Sequence, residues 1–262
     1  MEYFSSEIID LLNKLNNISL DNYTIISEEI KKPQETSGTS SSEGKSTSSL
    51  SQQNQKEGGD QTQSEDNSQS NGEKQIAITN MERNSTLKND TENIDWDFIK
   101  SEIELMNSSW SVLMLELYKA NIPNDTINAF GDFLDKAILS IKNEDKISSL
   151  NNLTSLYSYI PQFLNTASPE KYRYNLENTK YNVLVAYSLV TQGDWNTSLA
   201  KLLEAETSFL TLFNEAEYIK NKEFKVNKTY MLIKDLQNSI IYTDKQLFFL
   251  KYKSIIEILK TL

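Results

Sequence analysis

The chain contains no histidine and no cysteine. Those two absences remove the commonest general base, the most reactive nucleophile and the two commonest transition-metal ligands. Serine–histidine and cysteine–histidine catalysis therefore has no members here. No disulfide can form, which suits an oxidising compartment, where a free thiol is a liability. Glycine and proline are also scarce, at 7 and 4 in 262 residues. A β-sandwich or barrel needs many tight turns, so this scarcity argues against both. Neither Gly-x-x-x-x-Gly-Lys-Ser/Thr nor Gly-x-Gly-x-x-Gly occurs, so no phosphate-cradling loop is expected. No apolar run approaches the roughly 20 residues needed to span a bilayer, and Met1-Glu2-Tyr3-Phe4 lacks the basic start and apolar stretch of a secretory signal.

Positive charge is in short supply. Lys and Arg number 26 against 37 Asp and Glu, for a net charge of −11. Arg83 and Arg173 are the only guanidinium groups, and Lys31-Lys32 is the only basic cluster that stands out. A phosphate-backbone binder releases counterions from a basic surface and reads phosphates or guanines with paired arginine donors. Nucleic acid is not an expected partner.

What is present divides into three parts. Residues 1–32 hold one helix candidate, Phe4 to Leu15, with Ile8, Leu11, Leu12 and Leu15 on one face. The β-prone Tyr23-Thr24-Ile25-Ile26 follows. This segment is too short to bury a core alone, so it either docks or stays mobile. Residues 33–75 are rich in Ser, Gln, Gly, Glu and Thr, with Leu50 the one large apolar side chain. Such a stretch cannot bury enough surface to offset its ordering entropy, and is expected to be a disordered tether roughly 35–40 Å end to end. Gln75-Ile76-Ala77-Ile78-Thr79 alternates weakly, like a strand.

From residue 92 onward the pattern is helical. Ile99, Ile103, Met106, Trp110, Leu113 and Leu117 form one stripe over about Asp95 to Asn121. Leu105, Val112 and Leu115 add a second, so burial on two sides is expected for this helix. Further helices are predicted over about 124–143, 144–165 with an interruption at Pro161, 169–192, 194–216, from 227, and 244–262. The expected fold is all-α: an antiparallel helical bundle or short α-solenoid of about seven helices over residues 76–262, after the tether.

The segment Val185-Ala186-Tyr187-Ser188-Leu189-Val190-Thr191-Gln192-Gly193-Asp194-Trp195, continuing through Ser198 to Ala205, resembles one tetratricopeptide-repeat unit. Ala186, Gly193-Asp194-Trp195, Ser198 and Ala205 occupy that family's small-residue and turn positions. The match covers about 34 residues, the closing proline is replaced near Leu210, and no second copy is evident. A single helical hairpin with good turn chemistry explains the same residues. The whole layout, a short leading segment, a polar tract and an Asn/Lys/Ile-rich helical domain, resembles uncharacterised lipoproteins of AT-rich Gram-positive bacteria. There a lipid-bearing cysteine precedes the tether. That resemblance implies a place at the cell envelope, with membrane contact only through an N-terminal anchor missing from this sequence.

Several clusters invite a chemical reading. Asp95-Trp96-Asp97 reads as a helix cap, and Asp132 with Asp135 as a solvated face. Without histidine, only a hard-cation site of oxygen ligands could be built from these carboxylates. Tyr159, Tyr174 and Tyr181 lie off the main stripes and are the candidates for lining a partner-binding groove. The expected function is a non-enzymatic binding or scaffolding domain for a protein or peptide, with no cofactor and no metal. The alternatives are a small-solute or cation-binding envelope receptor and a cytoplasmic tetratricopeptide-like adaptor.

Overall fold

In the computed structural model, which describes residues 1–18, 93–168, 170–214 and 222–262, regular structure is entirely helical among the described residues. The tether and both β-prone segments, Tyr23 to Ile26 and Gln75 to Thr79, lie outside them. The helices are α1 (Glu2–Lys14), α2 (Trp96–Lys119), α3 (Asn124–Lys142), α4 (Lys146–Tyr157), α5 (Tyr159–Ala167), α6 (Lys171–Gln192), α7 (Trp195–Leu210), α8 (Glu223–Ser239) and α9 (Lys245–Lys260). Short 3₁₀ turns extend α7 (Thr211–Asn214) and α8 (Ile240–Tyr242).

One local device recurs at the helix junctions. Gly193 ends α6 with φ 85°; its N–H donates to the Val190 carbonyl and the Asp194 N–H to the Leu189 carbonyl. These are the two bonds of a Schellman stop. Asp194 then caps α7 by accepting from the Thr197 N–H at 3.1 Å. Glu144-Asp145 and Thr243-Asp244 repeat the pairing, a left-handed residue followed by a capping aspartate, before α4 and α9. Such short connections fold each helix back on its predecessor. The small residues Ala186, Ser198 and Ala205 are fully buried, and the Ser198 hydroxyl donates to the Ala186 carbonyl at 3.1 Å, so α6 and α7 pack closely.

The predicted third helix is two. Pro161 sits in the first turn of α5, where a missing N–H leaves no bond unmade. In a continuous helix its ring would meet the carbonyl of Tyr157, and the chain breaks there, at Ser158. Ser168 is not the cap of α6; its hydroxyl accepts from the Glu170 N–H at 3.2 Å, and Glu170 takes the capping position before Lys171.

Consecutive helices pack in series from α2 to α9, and α6 also meets α4 and α9. The leading helix does dock. It packs on α2 and α4, and Phe4, Ile8, Ile9, Leu11, Leu12 and Leu15 are all buried. Three buried phenols read its polar residues. Tyr157 on α4 lies 2.8 Å from the Ser5 hydroxyl, Tyr187 on α6 donates to the Leu12 carbonyl at 2.7 Å and accepts from Asn16, and Tyr252 on α9 donates to Asn13 at 2.8 Å. The rings of Tyr187 and Tyr252 stack with centroids 4.4 Å apart.

The expectation that α2 is buried on two sides is overturned. Ile99, Ile103, Met106, Leu113 and Leu117 are buried against α1 and α3, but Leu105, Val112 and Leu115 are 57, 62 and 55% exposed. No described element covers them, because α2 has α1 and α3 as its packing neighbours and both lie on its core side.

Because α1 is buried around most of its circumference, Leu12→Ala is expected to cost about 2–5 kcal/mol in urea denaturation of the full chain. A loss below about 0.5 kcal/mol, the range of surface substitutions, would mean that α1 is peripheral to the fold.

Candidate functional site

Two surface features stand out: a cleft at one end of α1 and the outward face of α2. The cleft, about 410 Å³, opens where the start of α1 meets α5, α6 and the two ends of the α8–α9 hairpin. Its floor is a closed hydrogen-bonded cluster. The Glu177 carboxylate accepts from the Ser5 hydroxyl at 2.9 Å, from the Tyr157 phenol at 2.5 Å and from the Lys180 ammonium at 2.7 Å. Burial and the adjacent carboxylate hold the Tyr157 hydroxyl well above the usual phenol range, so it keeps its proton and donates it to Glu177.

The rim carries mixed charge. Arg173 pairs with Glu170 at 2.6 Å, Lys260 with Asp10 at 2.8 Å, and Lys222 donates to the Leu262 carbonyl. Each lysine and arginine side chain lining the cleft is thus already answered by an acceptor of the fold. Several of the cleft's polar groups spend their hydrogen bonds joining α1, α4 and α6, and its lining mixes polar side chains with Ile9, Ile160, Leu164 and Leu176.

The three predicted tyrosines are not gathered at this cleft, which Tyr172 lines instead. Tyr159 belongs to an aromatic cluster on the α3–α5 side, with Phe130, Phe133 and Phe163 at ring separations of 5.8–6.2 Å. Burial and the nearby Asp132 raise its phenol above the ordinary range. Tyr174 and Tyr181 are half-buried on α6, seven residues apart. Asp95 is a cap, accepting from the Phe98 N–H at 3.0 Å, and Asp132 and Asp135 are exposed. Among the described residues no three acidic side chains converge as a metal site would require, and no helix is long and apolar enough to cross a membrane.

The α2 face is the feature the sequence reading misassigned. Its signal was already in the spacing: two apolar stripes on one helix need two partners, and the fold supplies one. Phe98, Leu105, Val112 and Leu115 stand on it, 40–62% exposed. At 3.6 residues per turn they lie about 220° round from the buried stripe.

No protein-family model, no curated protein and no solved structure matches the chain.

One half-buried carboxyl has a distant ion-pair partner. Glu257 on α9 lies 3.9 Å from Lys253, its Oε1 accepts no hydrogen bond among the described residues, and burial pushes it up to about 7 despite the opposing pull of Lys253 and Lys228. A carboxyl raised above its unfolded value near 4.5 binds its proton more tightly in the native state. Its contribution is complete at acid pH and is lost as pH climbs from about 4.5 through about 7. Glu257→Gln is expected to flatten that part of the stability–pH profile and to raise Tm at pH above 7, read by thermal melts across the range.

The floor of the cleft makes a second expectation. Glu177→Leu strands the Lys180 ammonium in a buried site and is expected to cost about 3–5 kcal/mol. Lys180→Met added to it is expected to restore part of the loss, since two apolar groups then replace the ion pair. A denaturation cycle over the single and double variants measures the coupling.

Proposed function

We propose that the chain is a non-enzymatic helical scaffold that binds a protein or peptide through the outward face of α2. The observation carrying this reading is that α2 keeps a second apolar stripe, 40–62% exposed, opposite its core stripe. Exposed apolar residues scattered singly are ordinary, but a contiguous row along one helix marks an interaction site. The stripe is also continuous along most of the helix, from Phe98 to Leu115. The lack of histidine and cysteine and the mutual pairing of the cleft's ionic groups support a binding role over catalysis. The setting we propose is the cell envelope, supported by the polar tract at 33–75 that precedes the helical domain and by the lack of cysteine.

A photo-cross-linking side chain placed at Leu105 or Val112, in the cells that make the protein, is expected to trap the same discrete partner from both positions. The same probe at Glu204, exposed on α7, is expected to trap nothing discrete. Loss of the adduct on adding Leu115→Glu completes the expected pattern. No adduct at either position, or the same adducts at Glu204, would overturn the reading.

A further inference from the structure

The exposed stripe of α2 has the spacing of a coiled-coil seam. Phe98, Leu105 and Val112 recur every seven residues, and Ser101, Ser108 and Leu115 fall between them at the 3-4 intervals of the paired seam positions. Two of those intermediate positions are small. The Ser101 hydroxyl donates to its own helix at the Phe98 carbonyl (2.7 Å) and Ser108 to the Glu104 carbonyl (2.9 Å), so both fold back onto the backbone. What remains is a row of apolar ridges separated by hollows, and a hollow ringed by large side chains is what accepts a protruding knob from a facing helix.

The flanks decide which helix that is. The positions beside the seam hold Glu102 and Glu116 on one side and Asp97 and Glu104 on the other. Lys119 sits at the far end, Lys100 is engaged with Glu144 at 2.6 Å, and Lys14 of α1 covers the Phe98 ring at 4.9 Å. Two copies of this face would bring acid against acid in a protein that already carries a net charge of −11, which disfavours self-pairing. Flanking charges choose partners by complementarity.

We propose that the outward face of α2 docks a single amphipathic helix of a partner protein, one with large aliphatic residues along its seam and lysine or arginine on both flanks. This rests on the reading of α2 as the binding face and specifies its occupant. Large knobs fill the hollows at Ser101 and Ser108, and the basic flanks neutralise Asp97, Glu102, Glu104 and Glu116. About three heptads of partner helix match the length of the seam.

The test uses the purified full chain and three fluorescent helical peptides of about three heptads. One has leucine along the seam and lysine on the flanks, one has leucine with glutamate flanks, and one has serine along the seam with lysine flanks. Anisotropy titrations are expected to show the first binding at least about tenfold more tightly than either other peptide. Raising salt from about 0.05 to about 0.5 M is expected to weaken it roughly tenfold, since the flanks are exposed. Leu105→Ser with Val112→Ser is expected to abolish binding with an unchanged melting temperature, because both side chains are exposed in the folded chain.

Equal affinity for lysine- and glutamate-flanked peptides, or no binding of the first, overturns the proposal. So does sedimentation showing a dimer that Val112→Glu dissolves, which makes a second copy the occupant. An adduct from position 112 to residues 19–92 of the same chain also overturns it, as does flotation with anionic vesicles lost in the same double-serine variant. Peptide failure beside a discrete in-cell adduct rejects only this partner chemistry, whereas loss of the adduct rejects α2 as a binding face altogether.

Discussion

The fold depends on the burial of α1. A thirteen-residue helix is marginal in isolation, yet this one places Phe4, Ile8, Ile9, Leu11, Leu12 and Leu15 out of water. Full burial of each large aliphatic side chain contributes roughly 1.5–3 kcal/mol. Apolar burial alone would tolerate sliding and rotation. The phenols of Tyr157, Tyr187 and Tyr252 do not, because each is fully buried and must find its partner at a particular residue of α1. Ser5, Asn16 with the Leu12 carbonyl, and Asn13 are those partners. Together they set the register of α1 against three other helices that are distant in sequence.

The helices after α1 form a series in which each contacts mainly its neighbours, a layout whose local hairpins could be assembled from either end. Contacts that span the series run through α6, which meets α4 and α9, and through α1, whose phenol partners Tyr157, Tyr187 and Tyr252 come from α4, α6 and α9. The cleft is a consequence of the same docking. It lies where the first turns of α1 approach α5 and α6, and its ionic groups are used up in holding those helices together through Glu177. Burying a carboxylate and an ammonium is costly unless each is paired and further hydrogen-bonded, and here Glu177 has three donors.

α2 shows the opposite economy. Its inner stripe closes the core over α1 and α3, and on its outer stripe no described element packs over Leu105, Val112 and Leu115. Exposing Leu105, Val112 and Leu115 carries a solubility risk that acidic flanks mitigate, by repelling copies of the same face. On the proposed reading the same acids give the face a preference among partners, and stability and recognition are carried on opposite sides of a single helix, separated by about half a turn.

Much of this was legible in the residues. Apolar periodicity located the helices from α2 onward, because a 3.6-residue repeat is a local property of the chain. Gly193, Asp194 and Asp95 announced their junctions by chemistry that acts within four residues. Pro161 announced a break, although its place at Ser158 follows from the carbonyl four residues before it. Ser168 has the chemistry of an N-cap one residue before Pro169, yet the capping position falls at Glu170, because that depends on how the chain leaves α5, which no local rule specifies.

The destinations of faces were decided only in three dimensions. Whether α1 docks, and whether the second stripe of α2 is covered, depend on the number of helices that can reach each side. Tyr157 and Tyr187 have the spacing of ordinary stripe residues, and Glu177 and Lys180 that of an ordinary i, i+3 pair; only the docking of α1 makes Tyr157, Tyr187 and Glu177 hydrogen-bond partners of its residues. Tyr159, Tyr174 and Tyr181 looked alike by spacing but went to different surroundings. Local pattern determines which residues share a side of an element, since it acts through bonds a few residues apart. What that side meets is settled by packing, where side chains far apart in sequence compete for the same buried volume.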